Sequence, residues 1–245
     1  MKLSGNTIVI TGGTSGIGRG LAERFLELGN KVVICGRRAD RLEALAAAHP
    51  GLAARVCDVT DTMQREDFAA WVFENHPETN VLVNNAGVQL VGNFGKGLDV
   101  KRLHAEVETN FVAVAHFSAL FAERLAAREN AAILNISSGL AFAPMAFMPV
   151  YCATKAAVHT FTLSLRHQLK AKGIDVVEII PPSVDTELGG DRRSDPSQSH
   201  GGLPVAEFVD CVIAGLRKGE AEIAVGDALN LRKRGESLFE AMNSR

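Results

Sequence analysis

Short apolar runs alternate with longer amphipathic ones along most of the chain. Thr7-Ile8-Val9-Ile10-Thr11 is a β-branched run with no polar alternation, the pattern of a strand buried on both faces. Leu21, Ala22, Phe25, Leu26 and Leu28 then recur at helical spacing, and Gly29 closes that helix. The couplet repeats. Lys31-Val32-Val33-Ile34-Cys35-Gly36 predicts a second strand, followed by an alanine-rich helix over 39–48. Ala54-Arg55-Val56-Cys57 predicts a third, with Thr60 or Asp61 capping a helix that runs to about His76. Asn80-Val81-Leu82-Val83 is the fourth. After a glycine-rich loop at 88–98, an apolar helical stripe (Val107, Phe111, Val114, Phe117, Phe121, Leu125) predicts a long helix over about 100–129. Residues 131–138 predict a fifth strand, and a helix opening at Pro149 runs to Gly173. A sixth strand at 174–180, a helix at 205–217 and a short seventh strand at 221–225 complete the pattern.

Apolar strands alternating with helices predict an α/β fold: one doubly wound, Rossmann-like parallel sheet of about seven strands, with helices on both faces. The 245 residues, 47% of them hydrophobic, suffice for one domain over 1–245, and no interior linker divides them. Residues 187–202, rich in Gly, Ser, Asp and Arg, read as a flexible loop beside a substrate site.

Charge and cysteine usage narrow the function classes. A net charge of −2 gives no reason to expect nucleic acid, and Arg232, Lys233 and Arg234 in the tail read as a solvated helix face. No apolar run reaches the roughly 18 residues of a membrane span. The N-terminus leads straight into the first strand, without the pattern of a signal peptide. Cys35, Cys57, Cys152 and Cys211 are scattered, with no C-x-x-C and no His/Cys cluster. A cytoplasmic protein without structural disulfides or a metal is expected.

The candidate chemistry sits where the predicted strands end. After the first strand comes Gly12-Gly13-Thr14-Ser15-Gly16-Ile17-Gly18, then a helix. The segment is either a tight turn or a dinucleotide-phosphate loop, whose helix N-terminus offers N–H groups and positive dipole to an anion. No Gly-Lys-Ser/Thr follows, which excludes a triphosphatase loop. Where an NAD-binding chain carries an acid after the second strand, this one has Arg37 and Arg38. They are either solvated charges or a clamp for a 2′-phosphate, and they favour NADP(H) over NAD(H). Asp58, followed by Val59, is either a capping aspartate or a partner for the adenine amine. Asn84-Asn85-Ala86-Gly87 ends the fourth strand with small residues that let a cofactor approach the backbone. Asn110 is a polar residue on an apolar helix face: a core amide, or a group placed where the helix backbone is broken. Ser137 and Ser138 end the fifth strand, and the loop 140–148, rich in Phe and Met, is either packed or a lining for an apolar substrate. Tyr151 and Lys155 lie one helical turn apart; a lysine charge there favours the phenolate and suits the tyrosine to proton transfer. Tyr151 is the only tyrosine in the chain.

Taken together these residues resemble the short-chain dehydrogenase/reductase family. Thr11-Gly12-Gly13-Thr14-Ser15-Gly16-Ile17-Gly18, Asn84-Asn85-Ala86-Gly87, Asn110, Ser138, and Tyr151 with Lys155 match it in order, over nearly the whole length. More narrowly, residues 137–142, 149–155 and 163–169 look like the bacterial DltE-like subgroup, named for an association with D-alanine esterification of teichoic acids. The family has Pro-Gly after the sixth strand; here it is Pro181-Pro182, which puts the path of that loop in doubt.

The resemblance implies a nicotinamide-dependent oxidoreductase that interconverts a carbonyl and an alcohol; Arg37 and Arg38 make the expected cofactor NADP(H), and the loop 140–148 with the 187–202 segment points to a small, fairly apolar substrate. Ser138 would hold the substrate oxygen, Tyr151 would be acid or base, and Lys155 would contact the cofactor ribose. Asn110 would hold a water that relays protons to Lys155. Pro181, Val184 and Thr186 would meet the nicotinamide end. Pairing through the long helices at 100–129 and 149–172 would give a homodimer or homotetramer. A catalytically silent NADP(H) sensor on the same fold is the alternative; it would need only the glycine loop, not the whole Ser–Tyr–Lys–Asn set.

Overall fold

The computed structural model describes residues 1–97, 99–189, 199 and 201–244. Most of the expected substrate loop at 187–202 therefore lies outside the described residues.

The strands are β1 (Thr7–Thr11), β2 (Lys31–Gly36), β3 (Leu52–Val56), β4 (Val81–Asn84), β5 (Ala132–Ile136), β6 (Asp175–Ile180) and β7 (Glu222–Ala224). They form one seven-stranded sheet in the order β3-β2-β1-β4-β5-β6-β7, every neighbouring pair parallel. Because side chains alternate along a strand, each one feeds two cores. Ile8, Ile10, Val32, Ile34, Val81 and Val83 pack on one face with Leu21 and Phe25 of α1 (Gly16–Glu27), Leu42 and Leu45 of α2 (Ala39–Ala48), and with α7 (Val205–Arg217). Val9, Val33 and Leu82 pack on the other with Phe68 and Val72 of α3 (Thr62–Asn75), Phe117 and Phe121 of α5 (Ala113–Leu125), and Leu165 and Leu169 of α6 (Pro149–Leu169). Burial on both faces is why these strands read as continuous apolar runs.

The long helix expected over 100–129 is broken. It consists of α4 (Val100–Val107) and α5, joined by a π-helical turn at Glu108–Val112 that contains Asn110. The fifth strand stops at Ile136, so Ser137 and Ser138 stand just past its end. The doubt over Pro182 is resolved by pairing further along. Ser183 O accepts from Leu203 N and Asp185 N donates to Leu203 O, both at 2.9 Å, around a parallel bridge between Val184 and Leu203.

The tail forms α8 (Asp227–Arg234) and α9 (Phe239–Asn243), and it is not a purely solvated face. Arg232 pairs with Glu222 at 3.1 Å and lies 4.6 Å over the Phe142 ring; Asn243 bonds Pro144 O and Ala146 N. These contacts pin the loop 140–148, and Met148 packs on Tyr151 and Cys152. Of the two readings of that loop the structure supports the packed one. All four cysteines are free. Among the described residues no helix is long and apolar enough to cross a membrane.

Candidate active site

The carboxyl ends of β1, β4 and β5 open onto a cleft of about 420 Å³. The glycine loop forms one wall and is locked to the end of β4. Thr11 Oγ1 accepts from the backbone N–H of Asn85 (3.0 Å) and Ala86 (3.1 Å), and Asn85 Nδ2 donates to the carbonyls of Thr11 and Gly12. Gly12 has φ +68°, and a Cβ on it would lie 2.9 Å from Ala86 Cα. A Cβ on Gly18 would overlap Asn85 Nδ2 and the Gly12 carbonyl oxygen. Backbone is thus bared where α1 begins, and the Ser15 side chain makes no capping bond to it. Uncapped N–H groups at a helix start, behind glycines that bring backbone to the surface, fit the pyrophosphate of a dinucleotide.

Two arginines and an aspartate line one end of the cleft. Arg38 folds back over the loop: its Nη2 donates to Thr14 Oγ1 (2.9 Å) and Ser15 Oγ (2.7 Å), and its Nη1 to Glu187 (2.8 Å). Arg41 also holds Glu187, at 2.7 Å. The two guanidiniums keep the Glu187 carboxyl below the usual glutamate range. Arg37 is exposed at the cleft wall. Asp58 lines the cleft as a loop aspartate whose Oδ1 accepts from Thr60 N and Oγ1; Asp61 caps α3 instead.

The end with Tyr151 and Lys155 is drier. Tyr151 is 5% exposed and Lys155 is 4% exposed. Lys155 Nζ donates to the Ile136 carbonyl at 2.8 Å, and burial alone lowers its pKa to about 8. Ser138 Oγ accepts from Leu140 N at 3.1 Å, capping a single 3-10 turn at Gly139–Ala141 that swings the chain off β5. Asn110 is fully buried; its Oδ1 accepts from Val88 N, and its Nδ2 donates to Val88 O and Thr154 Oγ1. The Asn110 side chain is therefore spent on the loop after β4 and on α6. A water on Asn110 would have to use its backbone carbonyl.

The structure gathers Gly12, Thr14, Ser15, Gly16, Ile17, Gly18, Arg37, Arg38, Asp58, Val59, Asn85, Ala86, Gly87, Tyr151, Lys155, Pro181 and Thr186 around this one cleft. Three expected residues stand back from its wall. Ser138 and Asn110 sit just behind it, and the Val184 side chain is in the core, so Val184 can reach a ligand only through its backbone. The sequence reading missed Gln89, Leu90, Thr109, Ile136, Ser137 and Glu187, which also line it. Ile136 and Ser137 were within reach of sequence reasoning, being next to Ser138. Glu187 gave no signal, because its partners Arg38 and Arg41 lie almost 150 residues away.

Comparison with known proteins agrees with this geometry. Residues 6–197 match the family model described as short chain dehydrogenase. The chain is 44% identical to the uncharacterized oxidoreductase DltE of Bacillus subtilis, covering 100% of this chain and 99% of that one. It is 35% identical to the serine 3-dehydrogenase of Agrobacterium fabrum, covering 81% of this chain and 82% of that one. A short-chain dehydrogenase from Sphingobium yanoikuyae, solved in complex with NADPH, superposes with a TM-score of 0.82 at 29% identity, covering 93% and 92% of the two chains. With the family model matching residues 6–197 and a relative 44% identical over its whole length, the chain belongs to the short-chain dehydrogenase family of oxidoreductases.

Proposed function

We propose that the protein is an NADP(H)-dependent reductase/dehydrogenase that interconverts a carbonyl and an alcohol on a small, fairly apolar substrate. The observation that carries this reading is the placement of Tyr151 and Lys155, buried and one helical turn apart, on the same cleft as the glycine loop. Bound NADP(H) would supply or accept the hydride. The chain's own residues would do the rest. The N–H groups at the start of α1 hold the pyrophosphate, and Arg38 with Arg37 holds the 2′-phosphate. Ser138 donates to the substrate oxygen and fixes it toward the phenol of Tyr151. Tyr151 gives that oxygen its proton in reduction and removes it in oxidation. Lys155, already anchored to Ile136 O, lowers the energy of the phenolate left behind and has further N–H groups for the ribose. Asn110 keeps the helix open at the π-helical turn, where a backbone carbonyl can hold the water that returns protons to Lys155.

NADP(H) over NAD(H) is supported by the guanidiniums at the adenosine end and by the NADPH held in the Sphingobium relative. Val88, Leu90 and Leu188 on the cleft wall support an apolar substrate. We place the enzyme in the cytoplasm on the strength of its scattered, unpaired cysteines, and as a homodimer or homotetramer because Leu103, Val107, Phe111, Val150 and Ala157 leave an apolar groove between α4 and α6.

The test is a panel of aldehydes and ketones assayed with NADPH and NADH side by side, for wild type and Tyr151→Phe. Turnover with NADPH that falls about 10²–10⁴-fold in the variant is expected. Near wild-type turnover in Tyr151→Phe would remove the proton role, and tight NADPH binding with no turnover on any substrate would favour a sensor.

A further inference from the structure

Behind the cleft runs a buried polar seam that cofactor binding does not account for. Glu178, on β6, is fully buried. Its Oε1 accepts from Ser137 Oγ at 2.5 Å, and its Oε2 lies 2.8 Å from His159 Nδ1. Ser137 is the residue before Ser138, and His159 follows Lys155 by one turn of α6. The backbone on both sides of Ser138 is pinned to the end of β6 as well: Ser137 N donates to Ile179 O (2.9 Å) and Gly139 N to Pro181 O (3.0 Å).

The seam continues along one stripe of α6. Lys155, His159 and Thr162 fall at i, i+4 and i+7. Lys155 Nζ bonds Ile136 O, His159 meets Glu178, and Thr162 Oγ1 accepts from Asn135 Nδ2 at 2.9 Å. Asn135 Oδ1 accepts in turn from Asn84 Nδ2 on β4. Val158, Leu165 and Leu169 complete the inward face of the helix and are apolar. Apolar packing alone is non-directional and lets a helix shift by fractions of an ångström at small cost. Hydrogen bonds in a dry interior are directional, and leaving one unmade there is costly. A helix with three such rungs has one favoured rotation and height on the sheet.

Resting on the reductase reading above, we propose that Glu178 is a positioning residue for the reaction. With Ser137 and His159 it holds the strand end that bears Ser138 and the helix that bears Tyr151 at one fixed separation. A carboxylate suits this place because its two oxygens reach two different elements at once. The same corner contains Glu222, whose carboxylate lies with His159 and Glu178 in a group whose ligand atoms are all within 4.8 Å of one another. Arg232 already matches the charge of Glu222 at 3.1 Å, so the cluster is an ion-pair network rather than a cation site.

The single tyrosine makes the test direct, since fluorotyrosine incorporated into the full chain places one ¹⁹F probe on Tyr151 and nowhere else. The variants are Ser137→Ala, which removes one hydroxyl; Glu178→Leu, which removes both bonds; and Glu178→Gln, whose amide can still accept from Ser137 and donate to His159. With NADPH bound, wild type and Glu178→Gln are expected to give one sharp resonance, and Ser137→Ala and Glu178→Leu a broadened or split one. On a carbonyl that wild type accepts, the latter two lose about 10-fold in kcat, with KM and NADPH affinity within about twofold, whereas Glu178→Gln stays within about threefold of wild type. A wild-type resonance and wild-type kcat in NADPH-binding Ser137→Ala overturn the proposal, even should Glu178→Leu fail to fold. So does a kcat loss that Glu178→Gln shares in full, or one that merely follows a fall in Tm. If Tyr151→Phe turns over like wild type, the reductase reading falls instead, and the Tyr151 resonance alone decides whether the seam positions that side chain.

Discussion

Lys155 Nζ lies 5.9 Å from the centroid of the Tyr151 ring, and burial holds the lysine pKa down to about 8. In an unfolded chain a lysine keeps its ordinary value near 10.4. Between about pH 8 and 10.4 the unfolded chain therefore carries a proton that the folded protein has released, and stability rises with pH across that window. The whole gain is on the order of 3 kcal/mol. Urea unfolding of the cofactor-free protein from pH 7.5 to 10.5 should show this rise relative to Lys155→Met, which lacks the titrating group. Parallel curves for the two proteins would refute it.

The same lysine predicts a rate profile. Reduction needs the charged form of Lys155 beside the phenol, and kcat/KM reports the free enzyme. With NADPH, kcat/KM should fall above about pH 8 with a slope of one proton. Lys155→Arg, which stays charged, should lose this limb while being slower throughout. A wild-type profile that is flat to pH 9.5 would contradict the assignment.

If Arg38 reads a 2′-phosphate as proposed, that phosphate and Glu187 would compete for one guanidinium. Arg38→Ala should weaken NADPH binding about tenfold or more and leave NADH within about threefold, since a charge-assisted bond is worth roughly 1.5–3 kcal/mol. Glu187→Gln should act in the opposite sense and tighten NADPH by a factor of about two to five, the size of an exposed ion pair. Fluorescence titration with both nucleotides measures each. Equal effects on NADH and NADPH would show that Arg38 supports the glycine loop through Thr14 and Ser15 and reads no phosphate.

Asn110→Ala should cost stability before it costs chemistry. The substitution takes the Asn110 amide away from Val88 N–H and Val88 C=O, and from Thr154 Oγ1, which keeps its bond to Tyr151 O. Unmet buried groups of this kind predict a loss of about 3 kcal/mol, or roughly 6–12 °C in Tm for a chain of this size. Limited proteolysis should cut first at 88–97, the loop that Asn110 holds. A Tm within about 2 °C of wild type would show the bonds to be dispensable.

Much of this architecture was legible because it rests on local pattern. Doubly buried strands such as Ile8-Val9-Ile10 announce themselves as unbroken β-branched runs. The glycine loop and the Tyr151–Lys155 spacing are contiguous words in the sequence. Asn110 stood out as a polar residue on an apolar face, and the π-helical turn is the physical reason it is there. What stayed hidden depends on pairing across long distances. Glu178 looked like the polar member of an ordinary strand, because its partners sit 19 and 41 residues away. Nothing in the local pattern singles out Arg65 of α3, yet it is 2% exposed and bonds Val59 O and Glu108. The loop 140–148 carried apolar composition without saying what would cover it, and the tail helices do so.

The position of β1 has a consequence for how the molecule comes into being. β1 meets β2 through partners 24 residues apart, such as Thr7 with Lys31, but meets β4 through far more distant ones, such as Ile8 with Val81. The first three strands and their crossovers are complete by Val56, whereas Ser138, Tyr151 and Lys155 follow with β5 and α6. Short-range pairings form fastest, and chains emerge from the ribosome N-terminus first. The glycine loop and the strands around it are thus made first, and the end of the cleft with Ser138, Tyr151 and Lys155 emerges last, onto a surface whose local pairings are already available.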